Sequence, residues 1–223
     1  MQLRSLGRWP TTIEDAAAVQ DELRALVDTV GPGPRALGTA AGVDVAYQRD
    51  GDRVAAAAVV LDTETLLPVE TAIAIGRAGF EYASGFLAFR ELPAISTVLE
   101  QLTTVPDVLV CDGQGLAHPR RFGLACHVGV LTGVPTIGVA KTPPGPFEPP
   151  AAERGAWTPL LDGGEVVGRA LRTQDGVKPV FVSVGHKVDL ETACAHVLRL
   201  SPRYRLPETT RQADRLARDT ALR

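Results

Sequence analysis

Asp112 stands where a strand-like run ends. Val108, Leu109 and Val110 form a short apolar stretch suited to a strand buried on both faces, and the stretch stops on that carboxylate. Gly113 and Gly115 follow at once and let the backbone bend or approach a ligand closely. His118-Pro119-Arg120-Arg121 then adds an imidazole and two cations. An acid beside a glycine turn and basic groups suits an anionic substrate held through a metal, and it equally suits an ordinary Asp-Gly turn with a solvated basic loop.

Three further acids bear on the choice. Asp44 lies within an apolar run, with Gly42 and Ala46 on its own face and Val43, Val45 and Tyr47 on the other. A carboxylate there is costly to bury unless it is paired, hydrogen-bonded or metal-bound; alternatively it marks the strand's exposed end. Glu91 falls near the expected start of a helix, where the dipole favours its ionised form. Asp214 sits four residues before Arg218 on a helical pattern, the spacing of a surface ion pair. If the strands carrying Asp44 and Asp112 are neighbours, about 4.8 Å apart, both carboxylates can reach one hard cation, and Glu91 or Asp214 completes an oxygen-rich Mg²⁺ or Mn²⁺ site. Lys141, His118, Arg120 and Arg121 would help hold a phosphate.

The elements that position these groups follow from periodicity. Thr11 and Glu14 suggest a capping box for a peripheral helix over about 11–30, with Ala16, Val19, Leu23, Leu26 and Val30 at helical spacing before Gly31-Pro32-Gly33-Pro34. Leu37–Tyr47, Arg53–Leu61 and Pro68–Arg77 read as an antiparallel meander joined by turns at Asp50-Gly51-Asp52 and at 62–65. A helix follows through Phe89, Leu92, Ile95, Val98 and Leu102, and Pro93 implies that it begins or restarts near Arg90-Glu91. Next come the strand at 108–110, a helix over about 121–131 and a strand at Thr136–Ala140, together a parallel crossover unit. Glu165–Arg172 and Pro179–Val184 read as two more strands, and Asp189–Leu200 and about 207–220 as helices. The fold class is α/β, a mixed sheet of three antiparallel strands followed by parallel strands, flanked by helices.

At 223 residues and 45% hydrophobic content the chain suits one domain with a sizeable core. A net charge of -3 excludes a global basic field, so any nucleic-acid surface is local. Cys111, Cys126 and Cys194 are odd in number without CxxC spacing, which argues against a disulfide framework or zinc site and for a reducing cytoplasm. The N-terminal MQLRSLGRWP lacks the apolar core of a signal peptide. Phe122–Ala140 is uncharged for 19 residues, but Thr132-Gly133-Val134-Pro135 divides it, so it reads as buried core rather than a membrane span. Ser183-Val184-Gly185-His186 lacks a nucleophile elbow and does not support acyl transfer.

The runs GVDVAY (42–47), YASGFLAFRELPA (82–94), DGQGLAHPRRFGLACHVGVLTGVPTIGVAK (112–141) and RLPETTRQAD (205–214) resemble the endonuclease V family in matching order. The resemblance covers about 36–214 and implies a ribonuclease H-like core over about 36–221. It further implies Mg²⁺-dependent cleavage, with Mn²⁺ able to substitute, of DNA containing deoxyinosine. The cut falls at the second phosphodiester bond 3′ to the lesion, leaving 3′-hydroxyl and 5′-phosphate ends for repair; an inosine-specific endoribonuclease is the alternative. By motif, Asp44, Glu91 and Asp112 match the metal ligands, with Lys141 and Asp214 completing the catalytic set. His118 matches the histidine of the AHPR run, which also holds Arg120. Tyr82 matches the tyrosine of a strand-separating wedge that here reads Glu81-Tyr82-Ala83-Ser84-Gly85 instead of the usual PYIPG, so lesion grip is where this chain departs from the pattern. Backbone groups near Gly85, Leu87, Gly113 and Gly115 would read the extruded base. A monomer in the cytoplasm, without a membrane partner, is expected. A non-catalytic binder of nucleic acid and a hydrolase of small phosphate esters are the readings from other classes.

Overall fold

The three apolar runs that follow residue 37 do pair as a meander. In the computed structural model, which describes residues 1–4, 9–48 and 51–221, β1 (Thr39–Tyr47) is antiparallel to β2 (Arg53–Asp62), and β2 to β3 (Pro68–Arg77). Asp50 of the expected first turn lies outside the described residues. Helix α2 (Leu87–Gln101) leads to β4 (Val108–Asp112), helix α3 (Leu124–Thr132) and β5 (Thr136–Ala140). β4 lies parallel to both β1 and β5, so the crossover unit is present. The chain continues through β6 (Trp157–Asp162), β7 (Glu165–Leu171), β8 (Val180–His186), α4 (Leu190–Leu200) and α5 (Glu208–Ala221). All eight strands join one sheet in the order β3-β2-β1-β4-β5-β8-β7-β6, the mixed ribonuclease H-like arrangement expected.

Period-two alternation along β1 and β4 sends side chains to two separate cores. Ala41, Val43, Leu109 and Cys111 pack under Leu92, Ile95 and Leu99 of α2 and Ala125 and Val128 of α3. Ala40, Val108 and Val110 pack with Ile137 and Val182 under Ala193, Val197 and Leu200 of α4. Helix α5 covers β1 and β2 on this second face, with Ala213 against Val59 and Leu61. Its approach depends on Gly42, where a Cβ would stand 2.2 Å from the Thr209 carbonyl carbon and oxygen.

Several expected boundaries move. The first helix, α1, is Ile13–Arg24 rather than about 11–30; Thr12, not Thr11, caps it by accepting from the Asp15 N–H, and Leu26 and Val30 lie exposed beyond its end. Pro93 does not restart α2 but sits inside it. A mid-helix proline costs about 3 kcal/mol, and fully burying Phe89, Leu92 and Ile95 around it at roughly 2 kcal/mol each offsets that cost. Helix α3 begins at Leu124, because Arg121 takes a positive φ of 55° that an αR helix excludes. Strand β6 was not expected at all: it carries Pro159, lies at the sheet edge and is largely exposed, so it lacks an apolar signature. Among the described residues no helix is long and apolar enough to cross a membrane.

Gly42→Ala should therefore destabilise the chain by about 1–3 kcal/mol, since the intruding methyl meets backbone that cannot rotate away. Urea denaturation measures this, and a midpoint equal to wild type would show that α5 does not rely on the close approach.

Candidate active site

Register brings the first two acids together. Val43 of β1 is the partner of Cys111 in the parallel β4, so one step further along both strands Asp44 comes abreast of Asp112 on the same side of the sheet. Asp112 ends β4, and Lys141 follows β5 immediately, close enough for its Nζ to form an ion pair with Asp112 Oδ2. Helix α5, drawn down on Gly42, brings Asp214 into hydrogen-bonding contact with Asp44. Glu91 arrives from α2, its Oε1 accepting a 3.1 Å hydrogen bond from the Tyr47 hydroxyl at the end of β1. Four acids and one lysine from five different elements thus meet at the carboxyl end of β1 and β4.

Their electrostatics reflect crowding. Burial, then the charge of Asp112 and the hydrogen bond with Asp214, push Asp44 up to about 8. Burial also pushes Glu91 up to about 7; the charge of Asp112 adds to the rise and the Tyr47 hydrogen bond opposes it. The expectation that a helix N-terminus would favour ionised Glu91 fails, because Glu91 is the fifth residue of α2 and desolvation dominates. Burial works against a charged Lys141, yet the Asp112 hydrogen bond and attraction, with Asp44 and Asp214 beyond, hold its ammonium above the usual range. Asp214 keeps its surface pairing too, at 2.9 Å from Arg218 Nε, so the ion pair and the contact with Asp44 coexist.

An all-oxygen set of this kind has the chemistry that hard divalent cations require. Among the described residues no three His, Cys, Asp or Glu side chains stand close enough to form a finished ligand cluster as they lie. Asp44, raised by burial and by the charge of Asp112, stands beside Asp214, and Asp112 pairs with the Lys141 ammonium, so a cation entering here would displace a proton from Asp44 and compete with Lys141 for Asp112.

Beside the acids opens a cleft of about 730 Å³, lined by 82–85 with Leu87, Ala88 and Glu91, by Asp112, Gly113 and Gln114, by 118–120 and by Lys141. Tyr82 stands at its rim, 72% exposed. Leu87 and Ala88 open α2, and Phe86 before them provides no side-chain cap, so the N–H groups of Leu87 and Ala88 have no intrahelical partner, while that of Phe89 donates to the Phe86 oxygen at 3.0 Å. Gly115 is not in this cleft. It is pressed against β8, where a Cβ would stand 2.0 Å from the Val184 oxygen, and its N–H donates to Ser183 Oγ at 2.8 Å.

The basic groups are occupied. His118 Nδ1 accepts from the Arg120 N–H at 3.2 Å, and the ring's other side bonds the Gly85 backbone; burial holds it below the usual histidine range, with the nearby Arg120 charge adding to the effect. Arg120 is tied to α1 through Gln20 Oε1 at 2.7 Å and Asp21 Oδ2 at 2.9 Å, and Arg121 to Asp162 at 2.9 Å. Three residues not anticipated complete the surroundings. Tyr47 holds Glu91, and Gln20 joins both cleft walls. Arg205 donates from Nη2 to the carbonyls of Lys141 at 2.7 Å and Pro179 at 2.8 Å, fixing the backbone that carries the lysine. Tyr47 and Arg205 lie inside motif-bearing runs, but Gln20 sits on a helix whose pattern reads as ordinary amphipathic surface.

Comparison with known proteins places these features. The family model for endonuclease V matches residues 21–215. Endonuclease V of Nocardia farcinica is 63% identical over 209 residues, 94% of this chain and 92% of that protein. The crystal structure of the Streptomyces avermitilis endonuclease V superposes with a TM-score of 0.92 at 57% identity, covering 99% of this chain and 97% of that one. A Ciona intestinalis endonuclease V, 28% identical with a TM-score of 0.81 over 93% of this chain and 97% of its own, was crystallised with DNA containing an inosine followed by a ribo-adenosine.

The raised acids set a direction for stability. A carboxyl whose folded pKa lies above its unfolded value contributes stability that is complete below the unfolded value and is lost as pH rises through the folded one. Without divalent cation, the urea midpoint should therefore decline from about pH 4, where the unfolded carboxyls begin to ionise, and level off above about pH 8, where Asp44 and Glu91 are ionised in the folded chain as well. Asp44→Asn should flatten that fall, and an equally steep profile in the variant would show that Asp44 is not the titrating group.

Proposed function

The chain belongs to the endonuclease V family, and from that premise we propose that it cuts DNA at the second phosphodiester bond 3′ to deoxyinosine, using Mg²⁺, in the repair of deaminated adenine. Members of the family are nucleases, so the chain is an enzyme of phosphodiester cleavage. The observation that carries the finer reading is the meeting of Asp44, Glu91, Asp112, Asp214 and Lys141 beside a cleft large enough for one base.

In this reading Asp44, Asp112 and Glu91 hold the metal, which when bound supplies charge to stabilise the phosphate and lowers the pKa of a water. The chain's own groups do the rest. Asp214, placed by α5 beside Asp44, accepts the proton of the attacking water. The water oxygen bonds to phosphorus as the bond from phosphorus to the 3′ oxygen breaks, and the departing oxygen takes a proton to give 3′-hydroxyl and 5′-phosphate ends. Lys141, kept charged by its acids, balances negative charge on the phosphate rather than acting as a base. Mn²⁺, equally content with oxygen ligands, substitutes for Mg²⁺.

Base selection rests on backbone. Hypoxanthine offers an oxygen acceptor where adenine offers an amino donor, so the N–H groups of Leu87 and Ala88 at the uncapped start of α2 bond the former and repel the latter. The backbone of Gly113 lines the opposite wall. Tyr82 at the rim fills the place the base vacates, while the imidazole of His118 and the guanidinium of Arg120 shape the wall between them. The ribo-adenosine after the inosine in the Ciona intestinalis complex supports an RNA-directed second reading, as does a wedge without its usual prolines. Cleavage of matched DNA and RNA strands separates the two.

The direct test is incubation of an inosine-bearing strand with Mg²⁺ and mapping of the cut at nucleotide resolution; cleavage elsewhere, or equal cleavage of the adenosine strand, would overturn the reading. Asp112→Asn and Asp44→Ala should each slow turnover on the order of a thousandfold while remaining folded. Tyr82→Ala should instead weaken preferential binding of inosine strands by roughly 1–3 kcal/mol, the worth of one base stack. Near-normal turnover in either Asp variant, or undiminished preference in the Tyr82 variant, contradicts the assigned roles.

A further inference from the structure

Gln20 is one of three buried residues of its helix and lines the cleft, and it lies just outside the residues matched by the family model. It is only 1% exposed, and its amide is used from both ends. Nε2 donates to the Gly85 oxygen at 3.0 Å and, at 3.4 Å, to the Phe122 oxygen, while Oε1 accepts from Arg120 Nε at 2.7 Å. Arg120 is held in turn by Ala17 O at 3.1 Å and Asp21 Oδ2 at 2.9 Å, and Arg24 Nη1 donates back to Arg120 O at 3.3 Å. One side chain of α1 therefore spans the loop preceding α2 and the turn at 118–122, which form two walls of the cleft.

We propose that Gln20 is a positioning residue for substrate selection: by bonding Gly85 to the 118–122 turn it fixes the spacing of the cleft walls, and so the aim of the α2 N–H groups at an extruded purine. The inference rests on the function proposed above. An apolar side chain would seat α1 on Phe122, Cys126 and Val130 equally well by burial alone, but it would leave the Gly85 oxygen with His118 as its remaining donor and Arg120 Nε without its acceptor. The wall would then be anchored at one point instead of two. Hydrogen-bond selection tolerates little such play, because a donor displaced from its acceptor discriminates no better than water does.

The test compares dissociation constants for inosine-bearing and adenosine-bearing single strands, measured by fluorescence anisotropy with chelator present, in wild type, Gln20→Leu, Gln20→Glu and Asp21→Ala. Gln20→Leu removes both arms; Gln20→Glu keeps an acceptor for Arg120 and loses donation to Gly85. The inosine preference should fall about tenfold in both, the worth of roughly one hydrogen bond used for selection. Asp21→Ala, at an exposed position that folding tolerates, should lower the preference a few-fold by loosening Arg120. A folded Gln20→Leu or Gln20→Glu protein with wild-type preference overturns the proposal, even if its melting temperature drops. Should neither Gln20 variant fold, an unchanged preference in Asp21→Ala overturns it. Absence of inosine preference in the wild type would instead overturn the function it rests on.

Discussion

Two carboxylates abreast on neighbouring parallel strands cannot both stay ionised in a half-buried place without positive charge between or beside them. Asp44 and Asp112 impose that condition, and the surroundings answer it. Lys141 neutralises Asp112, burial and the charge of Asp112, with the contact to Asp214, raise Asp44, and Glu91 is raised by the same confinement. The acids are held close by backbone rather than by mutual attraction: β-sheet register sets one pair, and the contact of Thr209 with Gly42 sets the distance of α5 and with it Asp214. Folding energy from the two cores is what keeps like charges together. Such a store of repulsion suits a site whose affinity is directed at cations.

In the proposed function the same rigid elements carry the groups that would select and the groups that would cut. Helix α2 opens on the uncapped N–H groups of Leu87 and Ala88 and, one turn later, supplies Glu91. Strand β4 ends on Asp112, and the next residue, Gly113, lines the cleft. In the proposed function a base seated against the start of α2 would lie at a fixed offset from the acids, which would account for a cut at a set distance from it. The segments that lack regular structure are stayed from behind, Gly85 by Gln20 and His118, and the Lys141 backbone by Arg205.

Much of this was legible in the order of residues. Asp44 among small neighbours and Asp112 at the end of an apolar run were compatible both with a paired carboxylate site and with an ordinary turn and strand end, and the meander and crossover followed from turn residues and apolar periodicity. What was not legible depended on tertiary contact. Pro93 pointed to a helix break, yet burial of Phe89, Leu92 and Ile95 outweighs the missing hydrogen bond. Tyr47 reads as one more strand aromatic until the fold brings its hydroxyl to Glu91. Gln20 reads as the solvent side of a peripheral helix, because no local pattern reveals two backbone carbonyls arriving from residues 85 and 122. Gly115 was expected at the ligand for its freedom of backbone; that freedom serves packing against Val184 instead. Strand β6 hid behind Pro159 and its exposure at the sheet edge.

The Lys141 ammonium and the proton that burial favours on Asp44 stand where, in the proposed function, a divalent cation would sit. Calorimetric titration of the protein with Mn²⁺ at pH 7, repeated in buffers of different ionisation enthalpy, counts the protons released on binding. Release of between one and two protons is expected in the wild type, from Asp44 and in part from Glu91, with a reduction of about one in Asp44→Asn. Mn²⁺ binding with no proton release, or release unaffected by Asp44→Asn, would contradict that placement.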